Sequence, residues 1–325
     1  MLTRHDLGHR VVVRCLAGHG GVRPIFSDVL GELTELTETS ITLRTRRGPV
    51  TVARNSIVTG KRIPDRRRLT GTEALERAAA GGWPAPDTAL LGDWLLRSAQ
   101  GWTNRGNSAL AIGEPDRPIA AAVDAVVGWY ADRGRPPMIT VPEPVGGRVI
   151  RELTDRGWTP SPVTLVRTTT LDALLTVARR HPDIRLDKAP PPTWLEVVAG
   201  RKQGLPDAAR HILTAVPETR FAGLYDPAGR ALAIGRGVVA ADREWLGLSL
   251  VEVDPGVRRT GLGSAIVGAL AEWAARIGAR RAYLQVEERN AAAVALYGRL
   301  GFDTHHRYAT WRAQATAAPP DAAGP

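Results

Sequence analysis

The chain has 325 residues, 43% of them hydrophobic and 23% charged, which is room for two or three domains with ordinary cores and too apolar for a disordered polymer. A net charge of +10 favours anionic partners, but nucleotide cofactors, nucleic acids and membrane surfaces all satisfy it. A single cysteine excludes a disulfide framework, and no apolar run approaches the ~18 to 20 residues of a membrane span, so a cytoplasmic protein is expected.

Residues 10–16, 27–37, 40–46, 50–53 and 57–61 read as short strands, with corners at Gly20-Gly21, Glu38-Thr39 and Arg47-Gly48. The layout over 1–62 resembles SH3-like and LSm-like β-barrels. Alternation sets Cys15 opposite Arg14, inside that small core. Residues 1–68 carry 13 Lys and Arg against 6 Asp and Glu, so the positive charge is concentrated here. A nucleic acid or protein partner at this barrel is one expectation. Against it, Phe26 is the only aromatic of the stretch, which leaves no stacking platform. Residues 63–71 read as a basic linker.

Residues 72–169 alternate helix and strand: a helix over 72–80, strands over 90–98 and 108–112, a helix over 119–132, a strand over 138–141, a helix over 147–156 and a strand over 163–169. Gly101 to Ser108 is a polar hairpin, either a plain turn or a wall of an acceptor pocket. The same order recurs from residue 184, with a strand at 184–186, helices at 193–199 and 208–216, and a hairpin of 221–225 with 231–239. A strand over 245–253, a helix over 264–277 and strands over 281–286 and 306–311 complete it. Residues 315–325 form an Ala/Pro tail expected to be disordered.

The most informative stretch is Arg258-Arg259-Thr260-Gly261-Leu262-Gly263, set between the strand 245–253 and the helix that begins at Ser264. Glycines there turn successive N–H groups toward one point, the helix adds its positive dipole end, and the arginines supply forked donors, so a phosphate is the natural ligand. A dinucleotide fingerprint is a poorer fit: Gly261, Gly263 and Glu287 could serve it, but Ile266 stands where the third glycine belongs. A P-loop is excluded because no lysine opens the helix. Downstream, Asn290-Ala-Ala-Ala293-Val-Ala-Leu296-Tyr297 leads to Gly301-Phe302.

Together the two segments resemble the acyl-CoA signatures of the GNAT superfamily of N-acetyltransferases, Arg/Gln-x-x-Gly-x-Gly/Ala followed by Asn-x-x-Ala-x-x-Leu-Tyr-x-x-x-Gly-Phe. The resemblance is close over residues 240–312 and traceable back to 183. It implies an α/β mixed-sheet fold, catalytic over 170–314. Residues 72–169 resemble a degenerate copy, because Leu153-Thr-Asp-Arg-Gly157-Trp158 echoes Tyr297 to Phe302 while Leu153 replaces the tyrosine, Gly146 replaces the asparagine and no glycine loop precedes the 119–132 helix.

The resemblance further implies acetyl-CoA as co-substrate, with no metal, and direct transfer to a primary amine. Arg258, Arg259, Thr260, Gly261, Leu262, Gly263 and Ser264 would take the pyrophosphate. The main chain of Val251 and Val253 would pair the pantetheine arm, with Asn290 and Ala293 beside it. Tyr297 would donate a proton to the departing thiol. The family's base glutamate falls at Gln285, which cannot act as one, so Glu252 and Glu287 are the nearest carboxylates, Glu252 being the candidate base. The acceptor would be set around 204–213 and is not legible. The rival reading is a nucleic-acid- or protein-binding regulator that senses acyl-CoA without turnover.

Overall fold

The computed structural model describes residues 2–20, 23–45, 48–62, 70–202, 204–240 and 243–313. The tail over 315–325 and the linker expected over 63–71, except its last two residues, lie outside these. The chain divides into two compact units, residues 1–68 and 69–325.

In the first unit, β1 (Arg10–Gly20), β2 (Arg23–Leu36), β3 (Ser40–Thr45), β4 (Gly48–Ala53) and β5 (Ile57–Arg62) pair antiparallel in the order β4-β3-β2-β1-β5. Alternation buries Val11, Val13, Leu33, Ile41 and Leu43 on one face, with Cys15 beside them as a free buried thiol whose pKa is raised by burial. The outward cations are partly paired, Arg14 with Asp28 and Arg44 with Glu32, each at 2.8 Å.

The second unit opens with α1 (Gly71–Gly81), started by a capping box in which Thr70 Oγ1 accepts the Glu73 N–H and the Glu73 carboxylate accepts the Thr70 N–H at 2.8 Å. There follow β6 (Asp87–Leu91), β7 (Trp94–Ser98), β8 (Ala109–Leu110), α2 (Ile119–Ala131), β9 (Met138–Glu143), α3 (Gly147–Asp155), β10 (Thr159–Pro160) and β11 (Thr164–Thr170). Next come α4 (Leu171–Val177), β12 (Arg185–Asp187), α5 (Pro192–Lys202), α6 (Asp207–Thr214), β13 (Thr219–Tyr225) and β14 (Ala231–Val239). The chain closes with β15 (Trp245–Val253), α7 (Leu262–Arg276), β16 (Arg281–Glu287), α8 (Ala291–Arg299) and β17 (Asp303–Arg312).

The stretch 90–98, expected as one strand, is a hairpin of β6 and β7. Gly92 turns it at φ +61°, in a place where a Cβ would lie 2.4 to 2.6 Å from the backbone of 114–116.

All twelve strands join in one mixed sheet, in the order β12-β13-β14-β15-β16-β11-β17-β9-β8-β7-β6 with β10 on β17. The parallel pairs are β15 with β16 and β8 with β9, each joined by a helix, α7 and α2 respectively. The segments expected as separate units, 72–169 and 170–314, share this sheet. β11 lies between β16 and β17, and β17 lies between β11 and β9, so each half receives its closing strand from the other. α7 and α8 bury Ile266, Leu270 and Tyr297 against one face of the C-terminal half, while α1 packs Leu75 and Ala79 on Val166, Tyr283 and Tyr308. Glu76 of α1 meets His306 of β17 at 2.8 Å, both buried.

Truncation after Phe302, which removes β17, is expected to leave β9 and β11 with unpaired edges and to abolish cooperative unfolding of both halves by circular dichroism. A middle segment that still folds after this truncation would contradict the shared-strand account.

Candidate active site

β15 and β16 run parallel from Trp245 opposite Arg281 to Leu248 opposite Leu284, where the ladder stops. A bulge follows: Ile234 of β14 faces Glu252 and Arg236 faces Ser249, so β15 carries an extra residue, with Leu250 at φ +54°. This left-handed leucine turns the end of β15 away from β16 and leaves a wedge beside Val251 and Val253. An extended amide chain can add to such an open strand edge.

The wedge leads into a groove of about 1100 Å³. Val251, Glu252 and Val253 line one side, Asn290 and Ala293 the other, and Arg258, Arg259, Gly261, Leu262, Gly263 and Ser264 its end. Gly261 is the N-cap of α7 at φ +96°, a conformation that favours glycine. The first intrahelical bond is the Ala265 N–H donating to Gly261 O, so the N–H groups of Leu262, Gly263 and Ser264 have no helical acceptor. Gly263 keeps the wall low, since a Cβ there would sit 3.2 Å from Leu296. These features fit a pyrophosphate group.

Two expected residues do not line the groove. Thr260 turns back, its hydroxyl donating to Val257 O at 2.7 Å. Tyr297 is buried edge-on against Phe302, with ring centroids 5.8 Å apart. Burial pushes its pKa up to about 12, while the nearby Arg201 charge pulls the other way. Asn290 lines the groove but spends its side-chain oxygen on capping α8, accepting the Ala293 N–H at 3.2 Å.

Several site residues are not legible in the sequence. Arg179, just past α4, lies over the glycine loop, and its guanidinium occupies the space where a Gly261 Cβ would go. Its N–H donates to Ser264 Oγ at 3.0 Å, and Gly268 in mid-helix permits the crossing, because a Cβ there would stand 2.7 Å from Arg179 O. Arg201 of α5 reaches the groove and forms an ion pair with Glu252. Arg299 adds a fifth arginine to the lining. Arg179 and Arg201 lie outside both motif segments, and Arg299 holds a variable position between Tyr297 and Gly301, so no motif residue marks any of the three.

Gln285, on the sheet face opposite α7, accepts hydrogen bonds from Arg105 and, at 3.3 Å, from the Tyr308 hydroxyl. Arg105 belongs to the 101–108 turn and lies 4.5 Å over the Trp83 ring, which stacks on Trp102. The turn therefore walls this side of the sheet. Glu287 is exposed and paired with Arg289 at 2.7 Å.

The middle half has no comparable loop. The segment before α2 reads Gly-Glu-Pro-Asp-Arg-Pro, its two prolines lack N–H groups, and the Asp93 carboxylate accepts the Glu114 N–H at 3.1 Å. Carboxylates and missing donors make it a poor anion site.

Tyr297 makes stability pH-dependent. Its raised folded pKa means that the unfolded chain ionises first, so stability is complete below about pH 10 and falls as pH rises toward 12, by roughly 2 to 3 kcal/mol. Urea unfolding across this range should show a shallower decline in Tyr297→Phe.

Residues 45–311 match the family described as "Probable histone acetyltransferase Rv0428c C-terminal", and residues 5–61 match "Rv0428c N-terminal Sm-like domain". A curated Mycobacterium tuberculosis protein, "Probable histone acetyltransferase Rv0428c", is 30% identical over 322 residues, covering 94% of this chain and 95% of its own. A solved GCN5-related N-acetyltransferase from Kribbella flavida superposes with TM-score 0.59 at 16% identity, over 76% of this chain and 97% of its own. A tandem GNAT protein from the clavulanic acid biosynthesis pathway gives 0.50 at 17% identity, over 74% and 88%. These two show the fold.

Proposed function

The chain belongs to the Rv0428c family and carries a tandem GNAT fold behind an Sm-like domain, and on that premise we propose that it is an acetyl-CoA-dependent N-acetyltransferase acting on a primary amine. The observation that carries this reading is the continuity of the groove: the open edge of β15 runs directly into the N–H-lined, arginine-rich start of α7.

Leu262, Gly263 and Ser264 hold the phosphates through their N–H groups, aided by Arg179, Arg258 and Arg259. Val251 and Val253 offer main-chain partners to the pantetheine amides. When bound, acetyl-CoA supplies the acetyl group as a thioester. An acceptor amine of pKa ~10.4 must lose a proton, at a cost of roughly 5 kcal/mol at neutral pH. Two carboxylates line the groove, Glu252 and Asp254; Asp254 accepts the Gly256 N–H at 2.8 Å, which leaves Glu252, paired with Arg201, as the group to receive that proton. Tyr297, held protonated by burial just behind the groove lining, is the donor to the departing sulfur, and Arg201, which does line the groove, is near enough to ease the charge that develops on the phenol oxygen. Among the described residues Cys15 is the only cysteine, and it is buried in the N-terminal barrel, so transfer is direct.

The relative's name puts a protein lysine first in an acceptor panel, ahead of small amines. The second reading, an acyl-CoA sensor without turnover, draws on Gln285, where the family's glutamate is missing; tight, salt-dependent RNA binding by an inert protein would favour it.

Calorimetry is expected to find one acetyl-CoA site per chain, lost in Gly261→Asp; no binding by folded wild type would overturn the reading. Tyr297→Phe should keep that affinity and lower kcat about 10- to 100-fold. Gln285→Glu should gain little in kcat, because the introduced carboxylate pairs with Arg105, whereas adding Arg105→Ala should release it and raise kcat.

A further inference from the structure

A second cavity, of about 320 Å³, lies between the end of α1 and strands β7 and β8, away from the acetyl-CoA groove. Its walls are mainly apolar, with Ala80, Ala85, Leu95, Leu110 and Ile112 prominent, yet two arginines, Arg97 and Arg77, also line it.

Arg97 is only 3% exposed. Its Nε donates to Ser108 O at 2.9 Å and its Nη2 to Ser108 Oγ at 3.2 Å, while the Tyr130 hydroxyl donates to Arg97 O at 2.7 Å. Ser108 Oγ is itself bonded to Thr140 at 2.8 Å, and Thr140 to Thr310 at 2.9 Å. The guanidinium is thus fixed from behind. Nη1 makes no hydrogen bond, and no carboxylate among the described residues forms an ion pair with Arg97. The nearby Glu76 is engaged by His306. Arg77 stands at the rim, 3.5 Å from Asp93, with its Nε buried and without a hydrogen-bond partner.

A buried guanidinium whose hydrogen bonds go to neutral oxygens is only partly compensated, and the carboxylate nearby, Glu76, is shared with His306. Burial accordingly lowers the Arg97 pKa. A preorganised cation with a free donor, set in an apolar chamber, is complemented by an anion that has an apolar body. Phosphate fits badly, because apolar walls cannot replace the hydration of its remaining oxygens. A carboxylate presents two oxygens and a single charge, and the chamber equals about ten waters at ~30 Å³ each, enough for a ring or a short chain.

We propose that this cavity binds a small monocarboxylate with an apolar body, its carboxylate held by Arg97 and Arg77 and its tail packed on Ala85, Leu95, Leu110 and Ile112. The site is independent of acetyl transfer and belongs to the half that lacks a phosphate loop.

The test is calorimetry and thermal unfolding of the full chain with sodium benzoate and sodium hexanoate, against benzyl alcohol and hexanol. One site per chain is expected, with Kd near or below about 1 mM, a raised Tm, and at least about tenfold weaker binding of the alcohols. Saturating acetyl-CoA should leave the affinity unchanged. Arg97→Met, which keeps the stem and removes the charge, should cost at least about tenfold. Ala80→Phe, which fills the chamber and leaves both arginines, should abolish binding in a protein that remains folded by circular dichroism. Absence of binding by either carboxylate, displacement by acetyl-CoA, or unchanged affinity in folded Ala80→Phe would overturn the proposal.

Discussion

β11 and β17 lie side by side, Thr164 opposite Tyr308 and Thr168 opposite Asp303, and each closes the sheet of the half to which it does not belong in sequence. Backbone N–H and C=O groups in a buried sheet must be paired, so neither half can complete its ladder alone. The middle half, though it lacks a comparable glycine loop, is therefore structurally required. It supplies a sheet neighbour for β16, which carries Gln285, and the Arg105 turn that reaches that same residue.

Arginine has a structural role here besides lining the groove. Arg236, fully buried, donates to Leu213 O, Ile212 O and Gly82 O, all at 3.1 Å, tying the ends of α6 and α1 to β14; burial lowers its pKa to about 10. Arg167 of β11 donates to Val294 O at 2.8 Å and to Phe302 O, so a strand from the middle half is tied to α8 and to the segment that follows it. The planar fork satisfies several carbonyls that helix ends leave open. Part of the +10 charge is thus internal scaffolding, while Arg179, Arg201, Arg258, Arg259 and Arg299 line the groove, where an anion can complement them.

Elements with strong periodicity are legible in the sequence, and β14 and β15 have the boundaries that their apolar runs indicate. α4 was not expected, because seven residues give too little periodicity, although Thr170 caps it by accepting the Ala173 N–H. The glycine loop and Asn290 follow from motif residues, while Val251 follows only from the resemblance, through its place at the end of the preceding strand. Arg179, Arg201 and Arg105 do not, since an isolated arginine carries no signal of what it will meet. Tyr297 shows a different limit: its position was legible, but not its depth behind the groove.

The sequence by itself determined the local pieces, namely the left-handed glycine at 261, the exposed N–H groups behind it and the capped helices, because these depend on dihedral preferences and contacts within a few residues. Tertiary structure alone decided that the halves exchange strands and that arginines far apart in the chain converge on one groove. A strand's ladder is satisfied equally by any extended neighbour, so partner choice rests on how both sheet faces pack.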